Sequence, residues 1–165
     1  MKWYLTVVRD NYANFKGRAS RKEYWMFVLF NLIFSYSLTG IGYFTELTIL
    51  GNIYSLAVLI PGLAVTVRRL HDTGKSGWFY VGFFLIIVLA VFAGIFSVID
   101  VTSFDISNLD YEQLAVGFAP YMGVIMVTSL LFLFLMVKDS DEETNKYGPN
   151  PKNPDSDELE AQLYE

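Results

Sequence analysis

Residues Trp78 to Ile99 read WFYVGFFLIIVLAVFAGIFSVI, without a single Asp, Glu, Lys or Arg. At about 1.5 Å per residue, such a stretch crosses the hydrocarbon core of a bilayer, roughly 30 Å, as one helix. Three further windows lack charge in the same way: Trp25 to Thr45, Leu47 to Val67 and Gly117 to Val137. None has the polar stripe that a buried helix of a soluble bundle carries. The sequence therefore predicts an all-α polytopic membrane protein, a four-transmembrane-helix bundle.

The composition also excludes a small soluble domain. Of the 165 residues, 53% are hydrophobic and only 18% are charged. A soluble domain of this size could not bury so much apolar surface. The chain contains no cysteine, which excludes disulfides and thiolate catalysis.

The basic residues indicate the orientation of the spans. All twelve lie before the first span, between the second and third, or after the fourth. The other two connections carry only acidic charge: Glu46 in one, and Asp100, Asp105, Asp110 and Glu112 in the other. By the positive-inside rule, we expect a multi-pass protein with both termini and the central loop in the cytoplasm.

The segments outside the spans divide the chain further. Residues 1–15 place aromatic and apolar side chains among charged and polar ones, which predicts a short amphipathic, interfacial helix on the inner leaflet. The short connection at Glu46 predicts a tight hairpin, and Pro61 with Gly62 predicts a kink or a loosening of the second span. We expect a transmembrane domain over residues 1–152 and an acidic, disordered tail over residues 153–165.

The outer loop is polar. It predicts a short helix from Asp110 to Val116, with Ser103, Ser107 and Asn108 as possible helix caps.

Small and mildly polar side chains recur at helical spacing inside the spans. They are Asn31, Ser35 and Thr39 in the first, Gly51 and Ser55 in the second, and Ala90, Ala93, Gly94 and Ser97 in the third. Such faces favour close helix packing, and a polar substrate path is the alternative. No ionisable side chain lies within a span, which argues against a proton-coupled transporter or a pump.

The central loop raises three catalytic hypotheses. Gly74, Lys75 and Ser76 resemble the end of a phosphate-binding loop, but Arg69 stands where that pattern requires glycine. His71 is the only histidine, too few for a metal site with Asp72. The third is a nucleophilic arrangement of Ser76 or Ser20 with His71 and Asp72, which only geometry can test.

Electrostatics gives a simpler interpretation of the same surface. Six basic side chains share it: Arg18, Arg21, Lys22, Arg68, Arg69 and Lys75. Guanidinium groups suit phosphate head groups, and anionic lipid attracts each cation by about 1 kcal/mol. Alternatively, the arginines set topology and pair with Glu23 and Asp72, sealing the inner end of the bundle. The sequence leaves both alternatives open.

Three stretches resemble a known family. They are FKGRASRKEYW (residues 15–25, signature 1), RRLHDTGKSGW (residues 68–78, signature 2) and NKYGPNP (residues 145–151, signature 3). In this order they resemble the signatures of the domain of unknown function 805 family, the YhaH-like bacterial inner-membrane proteins. Phe79 departs from the family, which often has a second aromatic such as Trp there, and the resemblance does not cover the acidic tail.

The resemblance implies a bacterial inner-membrane protein and no established activity. We expect the three signatures to meet at the cytoplasmic face, with the turn at Gly148 folding back under the cluster. The candidate lipid- or partner-binding cluster comprises Arg18, Arg21, Trp25, Arg68, Arg69, His71, Asp72, Lys75, Ser76, Trp78, Asn145 and Gly148.

Three functions follow as hypotheses. The first is a noncatalytic protein that binds anionic phospholipid or a protein partner at this cluster. The second is an oligomeric small-solute channel or uncoupled carrier, and the third is a lipid head-group enzyme. We expect no cofactor, no metal and no nucleic acid partner.

Overall fold

The computed structural model describes residues 1–47, 49–98 and 111–152. Its elements are α1 (Lys2–Leu5), a π-helical turn (Thr6–Asp10), α2 (Arg21–Thr45), α3 (Ile49–Asp72), α4 (Trp78–Val98) and α5 (Tyr111–Val137). Beyond the helices, the described part contains one isolated β-bridge, between Asn145 and Gly148.

The four long helices are sufficiently long and apolar to cross a membrane. Their exposed side chains are mostly Leu, Ile, Val and Phe, as expected of surfaces that face lipid. This confirms the predicted all-α membrane fold with four spans and a short N-terminal helix. The chain divides into two compact units: residues 1–77 with 138–165, and residues 78–137.

In the first unit, α2 and α3 are longer than their charge-free windows. Helix α2 begins earlier because the Ser20 hydroxyl accepts a hydrogen bond from the backbone N–H of Glu23, at 3.2 Å. Helix α2 ends at Thr45 and is followed by Glu46, whose backbone is in the left-handed conformation; α3 begins at Ile49. The tight hairpin predicted at this point is confirmed.

The polar faces of α2 and α3 meet within this hairpin. The Tyr54 hydroxyl of α3 donates to the Asn31 side-chain oxygen of α2, at 2.8 Å. Farther along the hairpin, the Thr39 hydroxyl oxygen lies 3.9 Å from the position that a Cβ on Gly51 would occupy. These side chains therefore serve helix packing, as the spacing indicated.

The N-terminal helix is shorter than the predicted 1–15 and packs against the protein. Its Tyr4 and the adjoining Val7 are buried. The Tyr4 ring stacks on Phe27 of α2, with centroids 5.7 Å apart, and meets Phe34 edge-on at 5.3 Å. Tyr4 and Val7 thus pack against the α2–α3 hairpin, while Leu5 and Phe15 remain exposed.

The second unit is the pair α4 and α5. A Cβ on Gly94 of α4 would lie 2.8 Å from the Phe118 ring of α5, and the Ser97 hydroxyl donates to the Gly117 carbonyl at 3.0 Å. The small residues of the third span therefore allow close packing.

The predicted short helix of the outer loop needs correction. Residues 111–116 are the first part of α5, because helical structure continues from Tyr111 into the span. Asp110, the caps proposed at Ser103, Ser107 and Asn108, and the tail over residues 153–165 lie outside the described residues.

Candidate functional site

The end of α3 positions the central residues of signature 2. The helix continues to Asp72, so Arg68, Arg69 and His71 lie in its last turns and not in a loop. It ends in a Schellman motif: the Lys75 N–H donates to the Leu70 carbonyl at 2.9 Å and the Gly74 N–H to the His71 carbonyl at 3.0 Å.

Gly74 is required at this turn for two reasons. Its φ is +73°, where a side chain is strained, and a Cβ there would lie 2.8 Å from a carboxylate oxygen of Asp141. The turn thus brings signature 2 against the segment after α5.

The Asp72 carboxylate is the centre of the site. Arg18 Nε donates to its Oδ1 at 2.9 Å, Ser140 Oγ donates to its Oδ2 at 2.6 Å, and Arg69 Nη1 forms an ion pair with Oδ2. The side chains of Arg18, Arg69 and Asp72 are at most 1% exposed. A buried carboxylate with two guanidinium partners and a hydroxyl donor is electrostatically compensated.

Arg18 connects signature 1 to the segment after α5. Its Nη1 donates to the carbonyls of Glu143 at 2.8 Å and Gly148 at 3.2 Å, and its Nη2 donates to that of Asp141 at 2.6 Å. Arg69 similarly donates to the Lys138 carbonyl. Both guanidinium groups are therefore surrounded by protein acceptors.

Asparagines fix the fold of residues 138–152. The Asn145 amide donates to the His71 carbonyl at 3.0 Å. The buried Asn150 amide donates to the carbonyls of Asp141 at 3.1 Å and Glu142 at 3.2 Å. We call Arg18, Arg69, Asp72, Ser140 and the residues 141–150 around them the polar cap.

His71 joins all three signatures. Its Nδ1 lies 3.2 Å from the Gly17 carbonyl, which can only accept, so Nδ1 carries the proton. Its ring stacks on Tyr147 with centroids 3.7 Å apart and an interplanar angle of 5°. The Lys146 ammonium lies 4.9 Å from the centre of the Tyr147 ring.

A second buried ion pair lies beside the polar cap. Arg68 Nη1 is 2.8 Å from Glu23 Oε1, and both side chains are at most 9% exposed. The Ala19 N–H also donates to the Arg68 carbonyl, at 3.0 Å. Within the described residues, Arg68 Nε and Nη2 have no hydrogen-bond partner. The pairing of arginines with Glu23 and Asp72, one of the two alternatives from the sequence, therefore occurs.

An exposed ion pair lies at the edge of the site. Asp139 lies 3.0 Å from Arg21 and also pairs with Lys152. The hydrogen bond from Lys152 and that from the Ser140 backbone N–H lower the pKa of Asp139 below its usual value.

The structure brings most of the predicted cluster together, with exceptions. Arg18, Arg69, His71, Asp72, Asn145 and Gly148 share the contacts above, and Arg68 and Arg21 lie in the two adjoining pairs. Trp25 is 36% exposed and packs edge-on against Tyr24. Lys75 and Ser76 lie between α3 and α4, and Trp78, 76% exposed, is the first residue of α4 in the second unit.

The geometry argues against the nucleophilic arrangement. Asp72 accepts from Arg18, Arg69 and Ser140, while the Nδ1 proton of His71 is directed to a backbone carbonyl. The Ser20 hydroxyl caps α2. A triad needs a carboxylate that orients the histidine, and Asp72 does not do so. In the described ranges, no three metal-ligating side chains come together.

Sequence reasoning missed Ser140 and Asn150. Both are buried, and both lie in polar, proline-containing sequence that we had interpreted as a turn before a disordered tail. The only sequence signal for either residue was that Asn150 lies within signature 3.

Comparison with known proteins identifies a family. The family described as "Protein of unknown function (DUF805)" matches residues 12–149, a range that includes signatures 1 and 2 and residues 145–149 of signature 3. The chain is 42% identical to inner membrane protein YhaH of Escherichia coli K12, over 57% of this chain and 88% of YhaH. It is 48% identical to inner membrane protein YhaI of the same organism, over 56% of this chain and 82% of YhaI.

A more distant relative extends over more of the chain. The protein is 32% identical to the uncharacterized protein YiiR of Escherichia coli K12, over 85% of this chain and 87% of YiiR. No solved structure matches the chain significantly. Signatures 1 to 3, the four spans and these relatives together identify the chain as a member of the DUF805 family of inner-membrane proteins.

Proposed function

We propose that this protein is a noncatalytic inner-membrane protein that binds anionic phospholipid at its cytoplasmic surface. The proposal includes the orientation that the positive-inside rule predicts, with both termini in the cytoplasm. It assigns binding to exposed lysines in and beside the polar cap and an architectural role to the arginines within it.

The different environments of arginine and lysine carry this proposal. Each of the five arginines forms an ion pair with a carboxylate. Three lysines near the cap, Lys16, Lys22 and Lys146, are exposed, and no ion pair to them occurs in the described part of the chain. Their charge is available to an external anion, whereas Arg18 and Arg69 are buried and donate to Asp72 and to backbone carbonyls.

The surroundings of Lys22 support a membrane-surface role. Its ammonium lies 5.9 Å from the centre of the Trp3 ring, and Trp25 is exposed in the first turns of the same helix. Cations next to Trp side chains at the end of a span are typical of the head-group region. A lysine near the cytoplasmic leaflet gains about 1 kcal/mol from anionic lipid.

The test compares retention of lipid by charge variants. Replacing Lys16, Lys22 and Lys146 by Gln removes three such contributions, about 3 kcal/mol in sum, and we expect affinity for phosphatidylglycerol to fall about 100-fold. Native mass spectrometry of the purified protein with phosphatidylglycerol or phosphatidylcholine measures this. The matched control replaces the same lysines by Arg, which keeps the charge and should keep binding.

Two outcomes would overturn the proposal. One is equal retention of phosphatidylglycerol by the Gln variant and the wild type. The other concerns orientation: reporters fused after Asn108 and after Glu165 should be active in the periplasm and the cytoplasm respectively, and cytoplasmic activity after Asn108 would refute the topology.

A further inference from the structure

Helix α3 contains a carbonyl that its own backbone cannot satisfy. Pro61 lies within the helix and has no N–H. In an α-helix that N–H would donate to the carbonyl four residues earlier, which is that of Ala57. In a bilayer, where water is absent, such a carbonyl requires another donor.

The donor comes from the N-terminal segment. The Tyr12 hydroxyl donates to the Ala57 carbonyl at 2.8 Å, from 45 residues away in the chain. Tyr12 follows the π-helical turn and precedes α2, so it reaches α3 as part of an irregular stretch. The side chain therefore replaces the hydrogen bond that Pro61 removes.

A second hydroxyl contact lies on the same hairpin. The Tyr54 hydroxyl donates its single proton to Asn31, so the Tyr4 hydroxyl, 3.1 Å away, donates to Tyr54. Between these two contacts along the N-terminal segment lies Val7, which is completely buried. Residues 1–15 thus occupy a groove on α2 and α3 whose polar groups are the Asn31 side chain, the Tyr54 hydroxyl and the Ala57 carbonyl.

We propose that residues 1–15 are a releasable strap, and that Pro61 creates its docking site by leaving the Ala57 carbonyl for Tyr12. Release is local because no helix connects the strap to α2 and because Tyr12 remains 40% exposed when docked. Release uncovers the Tyr54 hydroxyl and the Ala57 carbonyl. This proposal is independent of lipid binding by the lysines.

The absence of cysteine from the chain gives a direct measurement of release. In a Val7→Cys variant, the new thiol is buried while the strap is docked and reacts with N-ethylmaleimide only after release. Tyr12→Phe removes the donor and should raise the labelling rate about 10-fold, the effect of one unsatisfied buried acceptor.

A double-mutant cycle isolates the role of Pro61. Pro61→Ala restores the backbone N–H, so adding Tyr12→Phe in that background should change labelling less than about 2-fold. Pro61→Ser restores the same N–H and must give the same result, which separates the effect from local repacking. Circular dichroism and gel filtration of each variant establish that it is folded.

Tyr4→Phe is the matched control. It removes the contact with Tyr54, which does not involve Pro61, and should accelerate labelling equally whether Pro61 is kept or replaced by alanine. The proposal is overturned if Tyr12→Phe leaves the labelling rate unchanged. It is equally overturned if Tyr12→Phe accelerates labelling to the same extent in both backgrounds.

Discussion

Neutralising Asp72 should strongly destabilise the protein. In Asp72→Asn, the guanidinium groups of Arg18 and Arg69 stay buried but lose the carboxylate that compensates them. The new amide nitrogen also faces donors: Arg18 if it replaces Oδ1, or Arg69 and Ser140 if it replaces Oδ2. Since these side chains are at most 1% exposed, solvent screening does not reduce the effect.

The magnitude follows from this burial. Removing one partner of a buried ion pair typically costs about 3–5 kcal/mol, because the other charge remains uncompensated. Asp139→Asn is the matched control, with the same chemical change in an exposed pair with Arg21, where about 0–1 kcal/mol is typical. The expected difference between the two variants is therefore at least about 2 kcal/mol.

The assay is unfolding of the purified protein in mild detergent by a sodium dodecyl sulfate titration, followed by the fluorescence of the three tryptophans. We also expect limited proteolysis to cut residues 138–152 faster in Asp72→Asn, since Arg18 and Ser140 hold that segment through Asp72. Equal midpoints for the Asp72 and Asp139 variants, with unchanged proteolysis, would refute a stabilising role for the buried network.

Two glycines provide further tests. Gly74→Ala should destabilise the polar cap by about 1–3 kcal/mol, because the alanine would adopt a positive φ and its Cβ would lie too close to Asp141. Asparagine tolerates this φ better, so Gly74→Asn should lower the stability less, as measured by chemical unfolding. Gly94→Ala should lower the unfolding midpoint despite its better helix propensity, because its Cβ meets Phe118 at 2.8 Å. Gly123→Ala should raise the midpoint, because no atom lies within 4 Å of the position of its Cβ. Equal shifts for Gly94→Ala and Gly123→Ala would contradict the close packing of Gly94 against Phe118.

The spans were predictable because a bilayer imposes a single requirement on about 20 successive residues. Charge-free windows therefore located all four helices, and only their ends differed. Helix α2 extends to Arg21 through the Ser20 cap, and α3 extends to Asp72 through the Gly74 turn. Polar helix ends leave no signal in a search for apolar runs.

The site was less predictable because its contacts join distant residues. Asp72 binds residues 54 positions before it and 68 after it, and sequence order carries no information about such distances. The basic pattern grouped these side chains on one surface, but it could not distinguish arginines with buried partners from exposed lysines. Pro61 likewise signalled a weakened helix without revealing that Tyr12 supplies the missing donor.

The large sequence separation between Arg18 and its carbonyl partners has a consequence for synthesis of the chain. Its carbonyl partners lie 123 to 130 residues downstream, after the last span. During translation, Arg18 and Asp72 can meet once α3 is made, but the remaining donors of Arg18 wait until residues 141–148 leave the ribosome. Closure of the polar cap is therefore a final, post-insertion step of biogenesis, and a chain that stops before Asp141 cannot complete it.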